Sequence, residues 1–334
     1  MLSFMFKCIN FLQETKNKTM AIIDKKGVLH GSVDNIVYRG YFEKQVVQMK
    51  PKKFKQTLAS KESSLEFGLC SSTARVIRHA FGYTYGGGYD GRMINRMNSA
   101  VRNGVTASQK ARGERDMHDA DLGFLNGFQF NNNSPMPKVL LARPQSYLDA
   151  ENKICIELPA ITQKDIKGPR NGVNYILRFV AIAFDFKKKV FCYNSVKEIK
   201  IGWKESFEGG VIQLDDEVIK GRLVVLSMSI HAYGTDGFGG IQTFNSKAWS
   251  PSELIGAWHI EGESEADEEE KAKTYLRIAV AYAGNDILKE IARLREKAGA
   301  AAKKAQDKAI QLRPKIRPEA DTGFVPPKGD IDFP

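Results

Sequence analysis

The sequence has little of the equipment that enzymes and metalloproteins usually display. Its 334 residues include five histidines and four cysteines, and no cysteine pair has the spacing of a metal site. Neither a GxSxG nor an HExxH motif occurs, which excludes the common signatures of serine hydrolases and zinc proteases. The densest run of acids around a histidine, residues 116–121, is interpreted as a polar loop. We therefore predict no catalytic residues, no cofactor and no metal, and we expect the cysteines to be buried free thiols.

Long hydrophobic runs are also missing. The apolar stretch over residues 1–12 is interrupted by Lys7, is too short to span a bilayer, and is followed by no small-residue cleavage site. We therefore expect no membrane span and, by default, a cytoplasmic protein, with assembly into an extracellular or viral particle as the alternative. Met20 offers a second start, so residues 1–19 are interpreted as a mis-assigned start or an extension.

What the chain does have is positive charge, concentrated towards the N-terminus. The net charge is +11, and residues 1–130 hold 20 lysines and arginines against 11 acids. The remaining residues are nearly balanced, with 30 against 28. Because positive charge attracts anions, any attraction to a nucleic acid or an acidic protein surface is expected in the first part.

The most strongly patterned stretch covers residues 31–55. Two short apolar runs, Ile36–Tyr38 and Val46–Met49, flank a connection that contains Gly40, and this pattern predicts a β-hairpin. Pro51 ends the second strand because it has no N–H to donate. The lysines around the hairpin are typical of a solvated sheet edge protected from aggregation, and an anionic partner is the alternative.

Two basic amphipathic helices are predicted next, over residues 57–81 and 91–103, and Gly104 is expected to end the second one. The Gly/Tyr loop between them, residues 83–89, is interpreted as a connector, since no strand precedes it and no GK[ST] follows. The candidate contacts for an anionic partner are Arg39, Lys44, Lys50, Lys52, Lys53, Lys55, Arg75, Arg78, Arg92 and Arg96.

The composition changes after the break at residues 131–137. Short β-rich runs then follow one another, separated by turn residues and without a helical pattern. Such a pattern predicts an antiparallel β-sandwich, immunoglobulin-like or similar, over residues 138–260. The runs are Val139–Ala142, Ile154–Leu158, Asn174–Phe184, Val190–Tyr193 with Ile199 and Ile201, Leu223–Ile230 and Leu254–Ile260.

A resemblance accompanies these patterns. The segment from Gly31 to Lys53, with its GSVDNIVYR and QVVQMKPKK motifs, resembles the opening of uncharacterised proteins from Bacteroidota bacteria. Two later segments, Asn174–Phe186 and Phe244–Ile260, are similar to the same proteins. The resemblance covers roughly residues 20–260, and it implies a shared fold pattern and a taxonomic home but no activity.

Residues 261–334 extend beyond that resemblance. An acidic run precedes a helical segment that reaches residue 313, and a proline-rich tail over residues 314–334 is expected to be extended and held by a partner. Residues 272–284 alternate as a strand would, but a continuous helix is favoured there. The candidate self-association seam, with the spacing of a heptad, is Ile287, Ile291, Leu294, Ala298, Ala301 and Ala305.

The sequence thus predicts an α+β, mainly β protein in five parts. These are residues 1–19, a basic hairpin and helices over 20–133, the sandwich over 138–260, the helical extension over 261–313 and the tail. The favoured function is a structural or interaction protein that self-associates into an oligomer, filament or shell through β-edges and terminal extensions. A nucleic-acid-binding protein, with aromatic residues interleaved among the N-terminal lysines, is the alternative. A hydrolase of unknown type is the least favoured interpretation.

Overall fold

A computed structural model describes residues 20–41, 44–52, 55–170, 173–202, 204–214, 220–235, 237–262, 276–277, 282, 284 and 286–311. The chain divides into two compact units, residues 1–56 (unit 1) and residues 57–334 (unit 2). The described residues form mostly antiparallel strands together with five α-helices. The predicted α+β class with mainly β content is therefore confirmed.

Unit 1 contains a four-stranded antiparallel sheet in which strands that follow each other along the chain are also neighbours in the sheet. The predicted hairpin is confirmed, because its two strands pair from Ile36 opposite Met49 to Tyr41 opposite Lys44. Asp34 adopts a left-handed φ of 49° in the tight turn before the hairpin, a conformation that aspartate tolerates. The strands are β1 Ala21–Ile23, β2 Leu29–Val33, β3 Ile36–Tyr41 and β4 Lys44–Met49.

The side-chain amide of Gln45 links β4 to β2, the two strands on either side of β3. Gln45 on β4 accepts a hydrogen bond from the Leu29 N–H and donates one to the Leu29 carbonyl, each at 2.9 Å. The amide reaches β2 past Gly40 of β3, and a Cβ at Gly40 would lie 3.3 Å from the His30 ring. Glycine at this position therefore leaves room for the close approach of three strands.

Unit 2 is built around a larger antiparallel sheet, here called the central sheet. Its strands follow the order β11–β10–β7–β8–β13, and β12 also pairs with β10. A second, smaller sheet has the order β5–β6–β9. The central sheet consists of β7 Asn174–Asp185, β8 Val190–Ile201, β10 Leu223–Thr235, β11 Ile241–Thr243, β12 Ser252–His259 and β13 Leu276–Arg277. The small sheet consists of β5 Gln145–Leu148, β6 Ile154–Leu158 and β9 Gly210–Gln213.

Both faces of the central sheet are buried. On one face, Ile182 and Phe184 of β7 belong to a core that includes residues of two helices, such as Met97. On the other face, Phe179 belongs to a core shared with Ile156 of the small sheet. Because neither face meets water, β7 carries a nearly continuous apolar run instead of an alternating pattern. The helices of unit 2 are α1 Leu58–Ala80, α2 Gly82–Tyr85, α3 Met93–Ala107, α4 Met136–Val139 and α5 Asp286–Gln311.

The first predicted helix is confirmed, whereas the end of the second was predicted wrongly. Thr57 caps α1, and its Oγ1 accepts a hydrogen bond from the Ser60 N–H. Helix α3 continues through Gly104 to Ala107. Gly104 serves a tertiary contact there, since a Cβ would lie 2.6 Å from the Asp121 carbonyl oxygen. The Asp121 N–H also donates to the Gly104 carbonyl at 3.0 Å, which holds the two backbones together.

Two further predictions need correction. The run Val139–Ala142 is not a strand, because the turn of α4 starts directly after Pro135 and only an isolated bridge joins Leu140 to Ile166. The continuous helix over residues 272–284 is also wrong, since Leu276 and Arg277 pair with β8 and α5 begins at Asp286. At Leu276 and Arg277 the chain pairs with the edge of β8, as the alternating pattern of a strand would allow.

Several predictions fall on residues that the structure does not describe. They are residues 1–19, most of the acidic run before residue 276 and the proline-rich tail. Across the described ranges, none of the helices combines the length and the apolar character that crossing a membrane requires. The three described cysteines, Cys70, Cys155 and Cys192, are buried free thiols as expected.

The packing at Gly104 predicts opposite outcomes for the same substitution in two helices. Alanine normally stabilises a helix interior by about 1 kcal/mol relative to glycine. Gly299→Ala in α5 should show this gain, because a Cβ there has open space around it. Gly104→Ala should instead lower the free energy of unfolding by about 1–3 kcal/mol, because its Cβ overlaps a fixed carbonyl. Chemical denaturation checks both, and a gain in stability for Gly104→Ala would contradict the assigned contact.

Candidate functional site

One face of the unit 1 sheet is mostly apolar, and no described residue of unit 1 is buried against it. The strand register places one set of alternate residues on the same face, which we call the apolar face. None of the described residues of unit 1 is buried, and Val47 and Met49 are 57% and 79% exposed. No charged residue belongs to this set. The apolar face consists of Ala21, Ile23, Leu29, Gly31, Val33, Ile36, Tyr38, Gly40, Gln45, Val47 and Met49.

The opposite face of the same sheet combines basic and aromatic residues with the aliphatic Ile22, Val37 and Val46. Arg39 lies opposite Val46 and Tyr41 lies opposite Lys44, so these side chains share one face, which we call the basic face. Next to this sheet, His30 Nε2 lies 3.1 Å from Asp24 Oδ2. The pKa of Asp24 is lowered, first by the hydrogen bond from the Val28 N–H and then by His30.

The lysines predicted as anion contacts continue from this sheet. Lys50, Lys52 and Lys55 directly follow β4 and are exposed, whereas Lys53 lies outside the described residues. The structure therefore gathers five of the predicted contacts in unit 1, two on the basic face and three in the segment after it.

Two predicted contacts of unit 2, Arg75 and Arg78, line a groove between α1 and α3. The groove has a volume of about 330 Å³. Arg78 is half-buried, and its Nη1 donates to Asn98 Oδ1 at 3.0 Å. The pKa of Arg78 is lowered, mainly by burial and further by the positive charge of Arg75, while Tyr85 acts in the opposite direction. The groove is lined by Phe67, Gly68, Ser71, Ser72, Arg75, Arg78, Ile94 and Asn98.

The remaining predicted contacts differ in their surroundings. Arg92 is exposed at the start of α3. Arg96 is engaged inside unit 2, because it pairs with Asp90, donates to the Gln129 carbonyl at 2.7 Å and lies over the Phe128 ring. We therefore assign Arg96 to the stability of the fold and withdraw it from the candidate contacts.

The predicted self-association seam is split between two environments. Ile291 is fully buried, and its side chain fills the space beside Gly113. Arg295 of the same helix reaches Glu62 of α1 at 2.7 Å and Glu114 at 3.1 Å. Ile287, Leu294 and Ala298 are half-buried. Residues 299–309, which include the seam positions Ala301 and Ala305, are exposed, so that only the second half of the seam faces solvent.

A second polar cleft lies at the end of the central sheet, under the Gly/Tyr loop. It has a volume of about 160 Å³ and is lined by Tyr85, Gly86, Gly87, Gly88, His231, Asn245, Ser246, Lys247 and Ser250. His231 Nε2 lies 3.0 Å from Ser229 Oγ. Ser229 and His231 do not act as a nucleophile with its general base, because Ser229 is 1% exposed and no substrate can reach its hydroxyl oxygen. Sequence reasoning treated the glycines as a connector and missed their place in the cleft wall.

The acidic loop over residues 116–121 has a structural explanation. Asp116 caps a short 3-10 helix by accepting from the His118 N–H, and Asp119 pairs with Lys110. Within the part of the chain that the structure describes, no group of three or more histidine, cysteine, aspartate and glutamate side chains could hold a metal ion.

Comparison of the chain with protein-family models, with curated proteins and with solved structures gave no match. The resemblance to Bacteroidota proteins therefore stays a prediction, and function has to be argued from the surfaces described above.

The burial of His231 predicts a specific pH dependence of stability. Burial, followed by repulsion from Arg178, lowers the pKa of His231 from 6.5 to about 4, with Glu198 acting in the opposite direction. As the pH falls from 6.5 to 4, the unfolded chain takes up a proton at this position and the folded chain does not. The free energy of unfolding should therefore fall by up to about 3 kcal/mol over that range because of this residue.

The matched variants are His231→Gln and His79→Gln, the second at an exposed position of the same unit. His231→Gln should flatten the acid limb of a plot of unfolding free energy against pH, while His79→Gln should follow the wild-type curve. Buried His118, whose pKa is also lowered by burial, contributes in the same direction and keeps some slope in both variants. An unchanged slope in His231→Gln would contradict the assigned burial effect.

Proposed function

We propose that the protein is a structural or interaction protein that self-associates through the sheet of unit 1 and through its C-terminal helix. The observation that carries this proposal is the apolar face, which exposes residues such as Ile23, Val33 and Met49. A sheet with an exposed apolar face is stabilised when another surface covers that face, because this removes apolar side chains from water.

A second copy of the same face is the partner that fits best. The apolar face carries no charged residue, so its partner must also be apolar and uncharged. The same surface on another copy meets this condition, and two sheets can stack about 10 Å apart with their side chains interleaved. The basic faces then point outwards on both sides of the pair, where water and salt screen their charges.

The size of this contact argues for more than one contact per chain. Four strands about 4.8 Å apart and about five residues long on average give a face of roughly 300 Å². A stable interface usually buries about 800 Å² on each partner, so the face alone gives a weak contact. The exposed half of α5, with Ala301 and Ala305, supplies a second surface of small residues. A chain with two separate contact surfaces can build an open filament or a closed shell.

The part of unit 2 over residues 138–260 is proposed to be the predicted β-sandwich, immunoglobulin-like or similar. What supports this is the common core of the central sheet and the small sheet, to which Ile154 and Ile156 contribute from one side and Leu177 and Phe179 from the other.

Self-association is tested by adding one charge to either face of β4. Val47 lies on the apolar face, and the adjacent Gln48 lies on the basic face. Val47→Lys should abolish assembly, because it places a lysine of each copy in an apolar contact. Gln48→Lys adds the same charge one residue away and should still assemble. Size-exclusion chromatography with light scattering measures both, starting from a wild type that exceeds the 37.3 kDa of the monomer.

Raising the salt concentration should strengthen wild-type assembly, since it screens repulsion between the basic units and favours apolar contacts. A wild type that remains a monomer at high protein concentration would refute self-association. Equal loss of assembly in Val47→Lys and Gln48→Lys would refute the apolar face as its site.

Nucleic-acid binding is the second candidate, and the basic face favours it. Arg39 and Lys44 flank Tyr41 on this face, and Lys50 and Lys52 follow it. Arginine and lysine can meet phosphates while a tyrosine ring stacks on a base.

The basic face predicts a salt-dependent affinity for single-stranded DNA. Each phosphate contact contributes about −0.7 to the slope of log K against log salt concentration for single strands. Arg39→Gln with Lys44→Gln should therefore make the slope shallower by roughly 1.4. Fluorescence anisotropy of a labelled oligonucleotide from about 50 mM salt upwards measures the slope. Absence of binding at the lowest salt, or binding without a salt slope, would reject this candidate.

A further inference from the structure

We propose that the groove between α1 and α3 binds the phosphate group of a small organic phosphate, with Arg75 and Arg78 as its anion ligands. The groove belongs to unit 2, and its residues take no part in the apolar face of unit 1. The inference therefore goes beyond self-association and does not depend on it.

The guanidinium groups of Arg75 and Arg78 have no carboxylate counter-ion among the described residues. Several other arginines of unit 2 have a carboxylate partner, as in the pairs Arg96–Asp90, Arg115–Glu66, Arg143–Glu253, Arg178–Glu198 and Arg295–Glu62. Over the described residues, no carboxylate lies within ion-pair distance of Arg75 or Arg78, and no acid lines the groove. Two like charges three residues apart on a helix repel each other, and a bound anion removes that repulsion.

The guanidinium group of Arg78 is held in place before a ligand binds. Asn98 of α3 accepts a hydrogen bond from Arg78 Nη1, and the Tyr85 hydroxyl donates to the Arg78 carbonyl at 2.9 Å. Arg78 is thus fixed between two helices before any ligand arrives, which reduces the entropy lost on binding. Arg75 lies on the same side of α1 and remains exposed. Planar guanidinium groups bind phosphate oxygens through pairs of parallel N–H donors.

The groove is larger than a single phosphate group needs. Its volume of about 330 Å³ falls at the lower end of the ~300–1,000 Å³ typical of small-molecule sites. Phe67 and Ile94 are 50% and 45% exposed at this groove, and Arg102 lies 5.9 Å from the Phe67 ring centre. An aromatic and an aliphatic side chain next to an anion site suit a ligand that carries a flat organic group on its phosphate.

The experiment is isothermal titration of the full-length protein with inorganic phosphate, with adenosine monophosphate and with a ten-nucleotide single-stranded DNA. Wild type should bind both small ligands, and the nucleotide more tightly because its ring covers Phe67. Arg75→Gln should weaken both by roughly 10-fold to 100-fold, the range expected for losing a charge-assisted hydrogen bond. Because the Arg75 side chain is exposed and makes no hydrogen bond to another described residue, this variant keeps the fold, and thermal melting verifies that it does.

The matched control is Lys61→Gln, which removes the same charge from the same helix about 20 Å from Arg75 and should change neither affinity more than about twofold. Phe67→Ala should weaken the nucleotide and leave inorganic phosphate unchanged. The proposal is overturned if the nucleotide does not bind at millimolar concentration, if Arg75→Gln binds it as wild type does, or if Lys61→Gln weakens it equally. Binding of the oligonucleotide without the mononucleotide would also overturn it, because the site would then serve a nucleic-acid backbone.

Discussion

Unit 2 depends on the burial of both faces of its central sheet. Helices α1 and α3 cover one face and the small sheet covers the other, so that strands such as β7 and β10 are almost entirely removed from water. This arrangement fixes the positions of the helices. Since α1 and α3 are held by their apolar sides, a groove remains between them at the surface, and Arg75 and Arg78 line it.

Unit 1 presents the opposite situation. One of its faces is apolar and the other also carries Ile22, Val37 and Val46, yet no described side chain of the unit is buried. Unit 2 is stabilised because its apolar side chains are removed from water, whereas the apolar side chains described in unit 1 remain in contact with water. A partner that covers the apolar face would supply the missing burial, and this is why association is the function that the geometry supports best.

The sequence allowed some of this to be predicted, for identifiable reasons. Local signals located the hairpin from Ile36 to Met49, the first long helix and the long apolar strands, because turn residues and periodicity act over a few positions. Gly104 was misread because its role comes from Asp121, which packs on it from outside the helix. Arg75 and Arg78 were recognised as basic residues, but their grouping with Asn98 required the angle between two helices, which no spacing in the sequence records.

Helix α5 divides into two halves with different physical properties. Its first half is held by Ile291 and Arg295, whereas residues 299–309 touch solvent on all sides. The second half is therefore maintained by backbone hydrogen bonds and by the helix propensity of its alanines and lysines alone. Such a segment opens and closes locally at a small cost in free energy, and amide protons there exchange faster than those beside Ile291. A surface that docks on this half would select its helical form, so that recognition and ordering of the segment occur together.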